Sequence, residues 1–183
     1  MPLPWGAGLT VRERRLPYTS AMTSRATRLS AGVVVLRETE QGWRFLLLRA
    51  FNHWDFPKGM LEQGEEPLAA AVREVHEETL VDDLDFAWGD GYIETGPYSR
   101  GKVARYFIAR TATSDISLPV NPDLGRAEHS EFRWVDYDEA MRLVSPRVRP
   151  VLRWAAQRVN MPTPAWEASR SRAAQVAAAI EKA

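Results

Sequence analysis

The sequence contains no cysteine among its 183 residues. This absence excludes disulfide bonds, thiol nucleophiles and zinc sites built on thiolates, and it is compatible with a reducing compartment, so we expect a cytoplasmic protein. Long hydrophobic runs are missing too, since no apolar stretch approaches the roughly 18 residues of a membrane span. With 45% hydrophobic and 26% charged residues, the composition is typical of a soluble globular protein.

Net charge is also lacking, but the zero total hides an uneven distribution. Residues 1–30 hold five arginines against one glutamate, and residues 145–183 hold seven basic residues against two acidic ones. The central part, residues 31–144, carries a net charge of −9. An acidic centre that acts on polyanions needs bound cations.

The chain length fits one domain with extensions at both ends. Residues 1–29 are rich in Pro, Gly, Ser, Thr and Arg without sustained periodicity, which predicts a mobile arm, and Met22 offers an alternative start. We place the central domain at residues 30–144. Residues 145–183, which follow the break at Ser145 and Pro146, are expected to form a helical extension.

Hydrophobic periodicity predicts strands alternating with helices, which indicates an α/β fold. The predicted strands are residues 30–37, 43–50, 86–98, 102–110 and 130–135, with a polar loop at residues 113–129. The predicted helices are residues 67–81, 136–144, 150–159 and 166–183.

The helix at residues 67–81 combines an apolar stripe with a row of carboxylates. At about 100° per residue, Glu74, Glu77 and Glu78 share one arc beside the apolar face. A solvated helix face is the simpler interpretation of such an arc. Like charges four residues apart repel, however, and a divalent cation would convert that repulsion into coordination. The preceding Gly59 and Gly64 could bring backbone carbonyls close to the metal.

Gly59, five residues, Glu65, seven residues and then the run from Arg73 to Glu78 resemble the signature of the Nudix hydrolases. Many fixed positions over 23 residues make this match specific. One position departs, because Leu80 stands where the family has glycine. That glycine suits a left-handed helix terminus, so Leu80 puts the end of the helix in question.

The resemblance implies a Nudix fold, a mixed β-sheet sandwiched between helices, and hydrolysis of a phosphoanhydride bond with Mg²⁺, for which Mn²⁺ could substitute. The implied metal ligands are the Gly59 carbonyl, Glu74, Glu77, Glu78 and the distant carboxylate Glu128. Glu74 is our first choice for the general base and Glu128 is its rival, while Glu131 competes with Glu128 as the distant ligand. Arg73 is expected to orient Glu77, and His129 is expected to be a surface or hydrogen-bonded residue.

Segments outside the signature are similar to asymmetric diadenosine tetraphosphate hydrolases, in a likeness extending over residues 31–144. It implies that Lys58 and Lys102 contact phosphates and that Tyr106 stacks on adenine. His53 and Trp54 would line the same cleft. The implied reaction cleaves a dinucleoside tetraphosphate to ATP and AMP.

Two alternatives stay open. A Nudix hydrolase acting on RNA 5′ ends or diphosphoinositol polyphosphates would use the basic termini as an electrostatic track. Beyond such an RNA end, neither a nucleic acid nor a membrane is an expected partner. A non-catalytic Nudix module that senses nucleotides belongs to another class and normally lacks metal ligands, yet Glu74, Glu77 and Glu78 are all present.

Overall fold

The computed structural model describes residues 28–162. The predicted arm, apart from its last two residues, and the predicted helix at residues 166–183 therefore lie outside the described residues. Nine strands and three helices follow in order along the described chain. They are β1 (Leu29–Thr39), β2 (Gly42–Ala50), β3 (His53–Asp55), β4 (Lys58–Met60), α1 (Pro67–Thr79), β5 (Ile93–Glu94), β6 (Val103–Arg110), β7 (Val120–Asn121), β8 (Arg126–Ala127), β9 (Glu131–Val135), α2 (Tyr137–Leu143) and α3 (Arg149–Arg158).

The long strand β1 is the centre of a mixed sheet with the order β3, β2, β1, β6, β5. It runs parallel to β6 along one edge, from Leu29 opposite Val103 to Leu36 opposite Arg110. Along its other edge, the first part of β1 pairs with β4 and the last part with β2, both antiparallel. Strand β9 pairs with β2, and β7 and β8 form a separate two-stranded hairpin.

Both faces of the sheet are covered because side chains alternate along each strand. Val33 and Val35 of β1 point to the face that α1 covers, where they meet Ala71 and Val75. On the opposite face, the alternate β1 residues pack with α2 and α3 in a second cluster that includes Val34, Leu36, Val151, Leu152 and Ala155. This arrangement confirms the predicted α/β fold with a mixed sheet between helices.

The ends of the helices follow from local chemistry. Helix α1 begins with Pro67 in its first turn, where the missing N–H costs no hydrogen bond. Helix α2 has Asp136 at its N-cap, whose side chain accepts from the Glu139 backbone N–H at 2.8 Å. No helix within residues 28–162 has the length and apolar character needed to cross a membrane.

The largest error of the sequence prediction is the strand at residues 86–98. Only Ile93–Glu94 is a strand there, and residues 86–92 form turns and irregular backbone. Gly89 adopts a φ of +83°, which breaks an extended chain. The predicted hairpin is present, however, because β5 pairs antiparallel with β6 and Tyr98 bridges Lys102. Within the predicted loop at 113–129, the structure adds the β7–β8 hairpin.

Candidate active site

The candidate site is a cavity of about 320 Å³ between the β4 region, the carboxylate side of α1 and the segment that carries the β7–β8 hairpin. Seven of the residues predicted for the site line it, namely Lys58, Gly59, Glu74, Glu77, Glu78, Lys102 and Glu128. Met60, Leu118, Pro119, Asn121 and His129 complete the lining. The structure thus brings together residues that are up to 71 positions apart in the sequence.

Gly59 is fixed at its position by the carboxylate of Glu74. A Cβ built on Gly59 would lie 2.1 Å from Glu74 Cδ and 2.1 Å from Glu74 Oε2, far inside van der Waals contact. The absence of a side chain at Gly59 therefore allows α1 to place a carboxylate directly against the β4 backbone. The signature glycine has a steric role here that the sequence alone did not show.

Arg73 donates hydrogen bonds to three glutamates and to a backbone carbonyl in the segment before α1. Its Nε and Nη2 donate to the two oxygens of Glu65, each at 2.9 Å, and its Nη1 donates to Glu74 at 2.9 Å and to Glu77 at 3.0 Å. Nη2 also donates to the Met60 carbonyl at 3.1 Å. These hydrogen bonds lower the pKa of Glu65 to about 2. The expected contact between Arg73 and Glu77 is present, and Arg73 orients Glu65 and Glu74 as well.

The two innermost carboxyl groups of α1 have raised pKa values. Burial raises the pKa of Glu74 to about 7, although its hydrogen bond from Arg73 opposes the shift. Burial also raises the pKa of Glu78, which is only 7% exposed, while His129 and Lys58 oppose that shift. Glu78 Oε2 accepts a hydrogen bond from the Lys58 backbone N–H at 3.1 Å. Buried carboxylates with raised pKa values are typical of functional sites.

Glu128 and His129, which follow β8, lie close to Glu78 in the cavity. One potential ligand atom from each of the three residues lies within 4.8 Å of the others. His129 Nε2 is 2.9 Å from Glu78 Oε1, and this contact acts to lower the pKa of Glu78. His129 thus lines the cavity and contacts Glu78, a place in the site that the sequence did not assign to it.

The donor set fits a divalent cation. Carboxylate oxygens of Glu74, Glu77, Glu78 and Glu128 line one cavity, and hard cations such as Mg²⁺ prefer oxygen ligands. Burial raises the pKa values of Glu74 and Glu78, and a bound divalent cation would favour their ionised forms. Glu131 does not line this cavity and instead pairs with Arg49 and Arg133, so the structure favours Glu128 as the distant carboxylate.

Two lysines supply positive charge to the cavity. Lys58 Nζ lies 3.3 Å from Asp55 Oδ2, and the negative charges of Asp55 and Glu78 raise the pKa of Lys58 although burial acts to lower it. Lys102 reaches the cavity from the hairpin turn before β6. Both lysines therefore lie where the sequence analysis expects them, in a cavity whose substrate would present phosphate oxygens.

Three other predicted substrate residues lie elsewhere. Tyr106 is fully buried, its ring packs edge-on against Phe56, and its hydroxyl donates to Asp55 Oδ1 at 2.8 Å. A ring without an exposed face cannot stack on adenine, so the stacking role predicted for Tyr106 is corrected to a structural one. Trp54 is 8% exposed and belongs to the core, and the exposed His53 is not part of the cavity wall.

Comparisons with known proteins agree with this arrangement. A family model described as the NUDIX domain matches residues 26–155. The asymmetrical bis(5'-nucleosyl)-tetraphosphatase of Sus scrofa is 33% identical over 105 residues, which cover 54% of this chain and 68% of that protein. The RNA pyrophosphohydrolase of Bartonella quintana (strain Toulouse) is 29% identical over 154 residues, which cover 72% of this chain and 83% of that protein.

Solved structures show the same fold. A binary complex of the C. elegans Ap4A hydrolase superposes with a TM-score of 0.63 at 25% identity and covers 72% of this chain and 98% of that chain. The NUDIX domain of Shewanella oneidensis NrtR, complexed with ADP ribose, has a TM-score of 0.59 at 17% identity and covers 74% of this chain and 90% of that chain. The second likeness concerns the fold alone.

Proposed function

The chain belongs to the Nudix family and is a Nudix pyrophosphohydrolase of nucleotide substrates, and we propose that its substrate is a dinucleoside tetraphosphate that is cleaved to ATP and AMP. The observation that carries this proposal is the cavity itself, which combines the carboxylates of α1 and Glu128 with two lysines. Carboxylates that hold a cation and lysines that meet phosphate oxygens suit a long, highly charged polyphosphate chain.

The carboxylates of Glu74, Glu77, Glu78 and Glu128, with the Gly59 carbonyl, would hold one or more divalent cations. When bound, Mg²⁺ or Mn²⁺ supplies charge neutralisation and Lewis acidity at the phosphates. Lys58 and Lys102, which both line the cavity, add point charges that would bind and orient the polyphosphate chain.

Hydrolysis joins the oxygen of one water molecule to a phosphorus atom and breaks a bridging phosphorus–oxygen bond. One proton of the water must be accepted, and Glu74 is our choice for this base. Burial raises the pKa of the Glu74 carboxyl to about 7 in the metal-free chain, and this raised basicity favours it as the proton acceptor. Arg73 holds the Glu74 carboxylate in position. Glu128, which lines the same cavity, stays the rival base.

RNA 5′ ends are the second candidate substrate. The match to the RNA pyrophosphohydrolase of Bartonella quintana covers 72% of this chain, compared with 54% for the tetraphosphatase of Sus scrofa. The basic residues beyond the central domain would give such a substrate an electrostatic track. Diphosphoinositol polyphosphates remain a third possibility for the same cavity. The cytoplasmic location stays a prediction from composition.

Product analysis separates these substrates. The purified chain is incubated with Mg²⁺ and, in parallel reactions, with diadenosine tetraphosphate, 5′-triphosphorylated RNA, diphosphoinositol polyphosphate or a nucleoside triphosphate, and the products are resolved by chromatography. We expect ATP and AMP from the tetraphosphate at the highest kcat/KM of the panel. Faster release of pyrophosphate from the triphosphorylated RNA would instead identify RNA 5′ ends, the second candidate, as the preferred substrate. Cleavage of none of them would contradict the proposal and favour a sensing module.

A further inference from the structure

Asp55 is the centre of a polar cluster behind the catalytic cavity. Its Oδ1 accepts from the Tyr106 hydroxyl at 2.8 Å and from the Phe56 backbone N–H at 2.9 Å. Its Oδ2 lies 3.3 Å from Lys58 Nζ and accepts from Arg147 Nη2 at 3.0 Å. One carboxylate therefore connects a lysine of the cavity with an arginine 92 residues away in the sequence.

Arg147 makes a second contact, with Tyr98, which is hydrogen-bonded to the other cavity lysine, Lys102. Its guanidinium carbon lies 4.0 Å from the centre of the Tyr98 ring, a cation–π distance. Tyr98 forms a two-hydrogen-bond bridge with Lys102, with its N–H donating to the Lys102 carbonyl at 2.8 Å and the Lys102 N–H donating back at 2.7 Å. Arg147 thus contacts the partner of each cavity lysine, namely Asp55 for Lys58 and Tyr98 for Lys102.

Arg147 lies between α2 and α3, outside the cavity wall and in the segment that the sequence assigned to the C-terminal extension. The next residue, Val148, is fully buried in the core cluster beside α3, which anchors the backbone that carries Arg147. Arg147 Nη1 is buried and has no hydrogen-bond partner within residues 28–162. Arg147 therefore directs its contacts to Asp55 and to the Tyr98 ring, the two groups that adjoin the cavity lysines.

We propose that Arg147 is a positioning residue that holds Lys58 and Lys102 in the orientation required to bind the phosphate chain of the substrate. This inference rests on the proposed function, in which the two lysines meet phosphates. Without Arg147, Asp55 would keep Lys58 as its remaining cationic partner and draw its ammonium group away from the substrate. Tyr98 would lose the group stacked on its ring, and the turn that carries Lys102 would lose a support.

The first test compares Arg147→Met with Arg133→Met in the full chain. Arg133 is a matched control because it also pairs with a carboxylate, Glu131, and also lies over an aromatic ring, that of Trp54, but it is not part of the cavity wall. We expect Arg147→Met to raise KM for the tetraphosphate about tenfold and to change kcat much less, since the loss falls on substrate orientation. Arg133→Met should leave both constants unchanged.

A double-mutant cycle then separates positioning from a general structural role. In a Lys58→Met background, Arg147→Met should raise KM by about threefold or less, because one of the two lysines that it positions is already missing. A merely structural role predicts the same fold-change in both backgrounds. Arg147→Lys keeps a positive charge beside Asp55 and should raise KM less than Arg147→Met does, which provides a second variant if Arg147→Met folds poorly.

The inference is overturned if folded Arg147→Met has a KM within twofold of the unchanged chain, or if its effect on KM is equally large without Lys58. Calorimetric titration with inorganic tripolyphosphate in the presence of Mg²⁺ compares substrate binding by the same variants without turnover. Failure of the unchanged chain to cleave the tetraphosphate would count against the proposed function alone. Arg147 would then be judged by tripolyphosphate binding, which should weaken in Arg147→Met and not in Arg133→Met.

Discussion

The carboxylate of Glu74 lies directly against the α-carbon of Gly59, at a distance that leaves no room for a side chain. A Cβ at Gly59 would come within 2.2 Å of both carboxylate oxygens of Glu74. This contact joins the helix that carries the predicted metal ligands to the strand that precedes it. Any side chain at residue 59 must therefore displace Glu74.

Gly59→Ala should reduce Mg²⁺-dependent turnover by about 100-fold, because displacing a catalytic carboxylate by about 1 Å has an effect of this order. Gly96→Ala is the matched control, since a Cβ at Gly96 meets no atom within 4 Å and Gly96 does not have a positive φ. Steady-state kinetics of the two variants check the prediction. Equal activity of Gly59→Ala and Gly96→Ala would contradict the steric role of Gly59.

Leu80→Gly should stabilise the protein. Leu80 caps α1 with a φ of 56° and a ψ of 18°, the left-handed conformation, and its side chain is half exposed. Removing the strain of the Cβ should raise the free energy of unfolding by about 0.5–1 kcal/mol, which corresponds to about 1–4 °C in Tm. Leu80→Ala keeps the Cβ and should bring no such gain. Thermal unfolding of the two variants distinguishes them, and a lower Tm for Leu80→Gly would refute the assignment of strain.

The residue at position 80 also shows what local sequence could predict. The motif indicated that α1 ends in a left-handed conformation, and the structure has this conformation with leucine in place of the expected glycine. The same local rules predicted β1, β2, β6 and all three described helices to within two residues, because hydrophobic periodicity and capping depend on near neighbours.

Long-range contacts set the limit of the sequence prediction. Tyr106 lies four residues after Lys102, a predicted phosphate contact, and was predicted to bind the substrate as well. Its burial, however, depends on Phe56 and Asp55, which lie about 50 positions earlier. The sequence predicted no role for Asp55 or Arg147, because neither belongs to the signature and their pairing spans 92 residues. For His129 a local signal existed, since it directly follows Glu128, a predicted ligand.

Glu74→Gln should stabilise the metal-free protein at alkaline pH. A carboxyl whose pKa rises from an ordinary 4.5 to about 7 on folding favours the folded state most at low pH, and this contribution is lost as the pH rises through 7. We therefore expect Glu74→Gln to be more stable than the unchanged chain by about 1–2 kcal/mol at pH 8, after a discount for partial solvent screening, and to lose this advantage near pH 5.

The measurement is chemical unfolding in the presence of EDTA at both pH values, with Glu77→Gln as the control because Glu77 is on the same helix and its side chain is 54% exposed. Addition of Mg²⁺ should reverse the order at pH 8, since the cation binds more tightly to the chain that keeps all of its carboxylates. A pH-independent difference between Glu74→Gln and the unchanged chain would show that the pKa of Glu74 is ordinary.

The central claim is that the carboxylates of α1 and Glu128 form one metal-dependent site for polyphosphate hydrolysis, and Glu78 is its innermost member. The most direct measurement is the Mg²⁺-dependent turnover of diadenosine tetraphosphate by Glu78→Gln, beside the control Glu66→Gln at the exposed N-cap of the same helix. The account predicts a loss of about 100-fold or more for Glu78→Gln with the native fold retained, and full activity for Glu66→Gln. Undiminished turnover by a folded Glu78→Gln protein would contradict it.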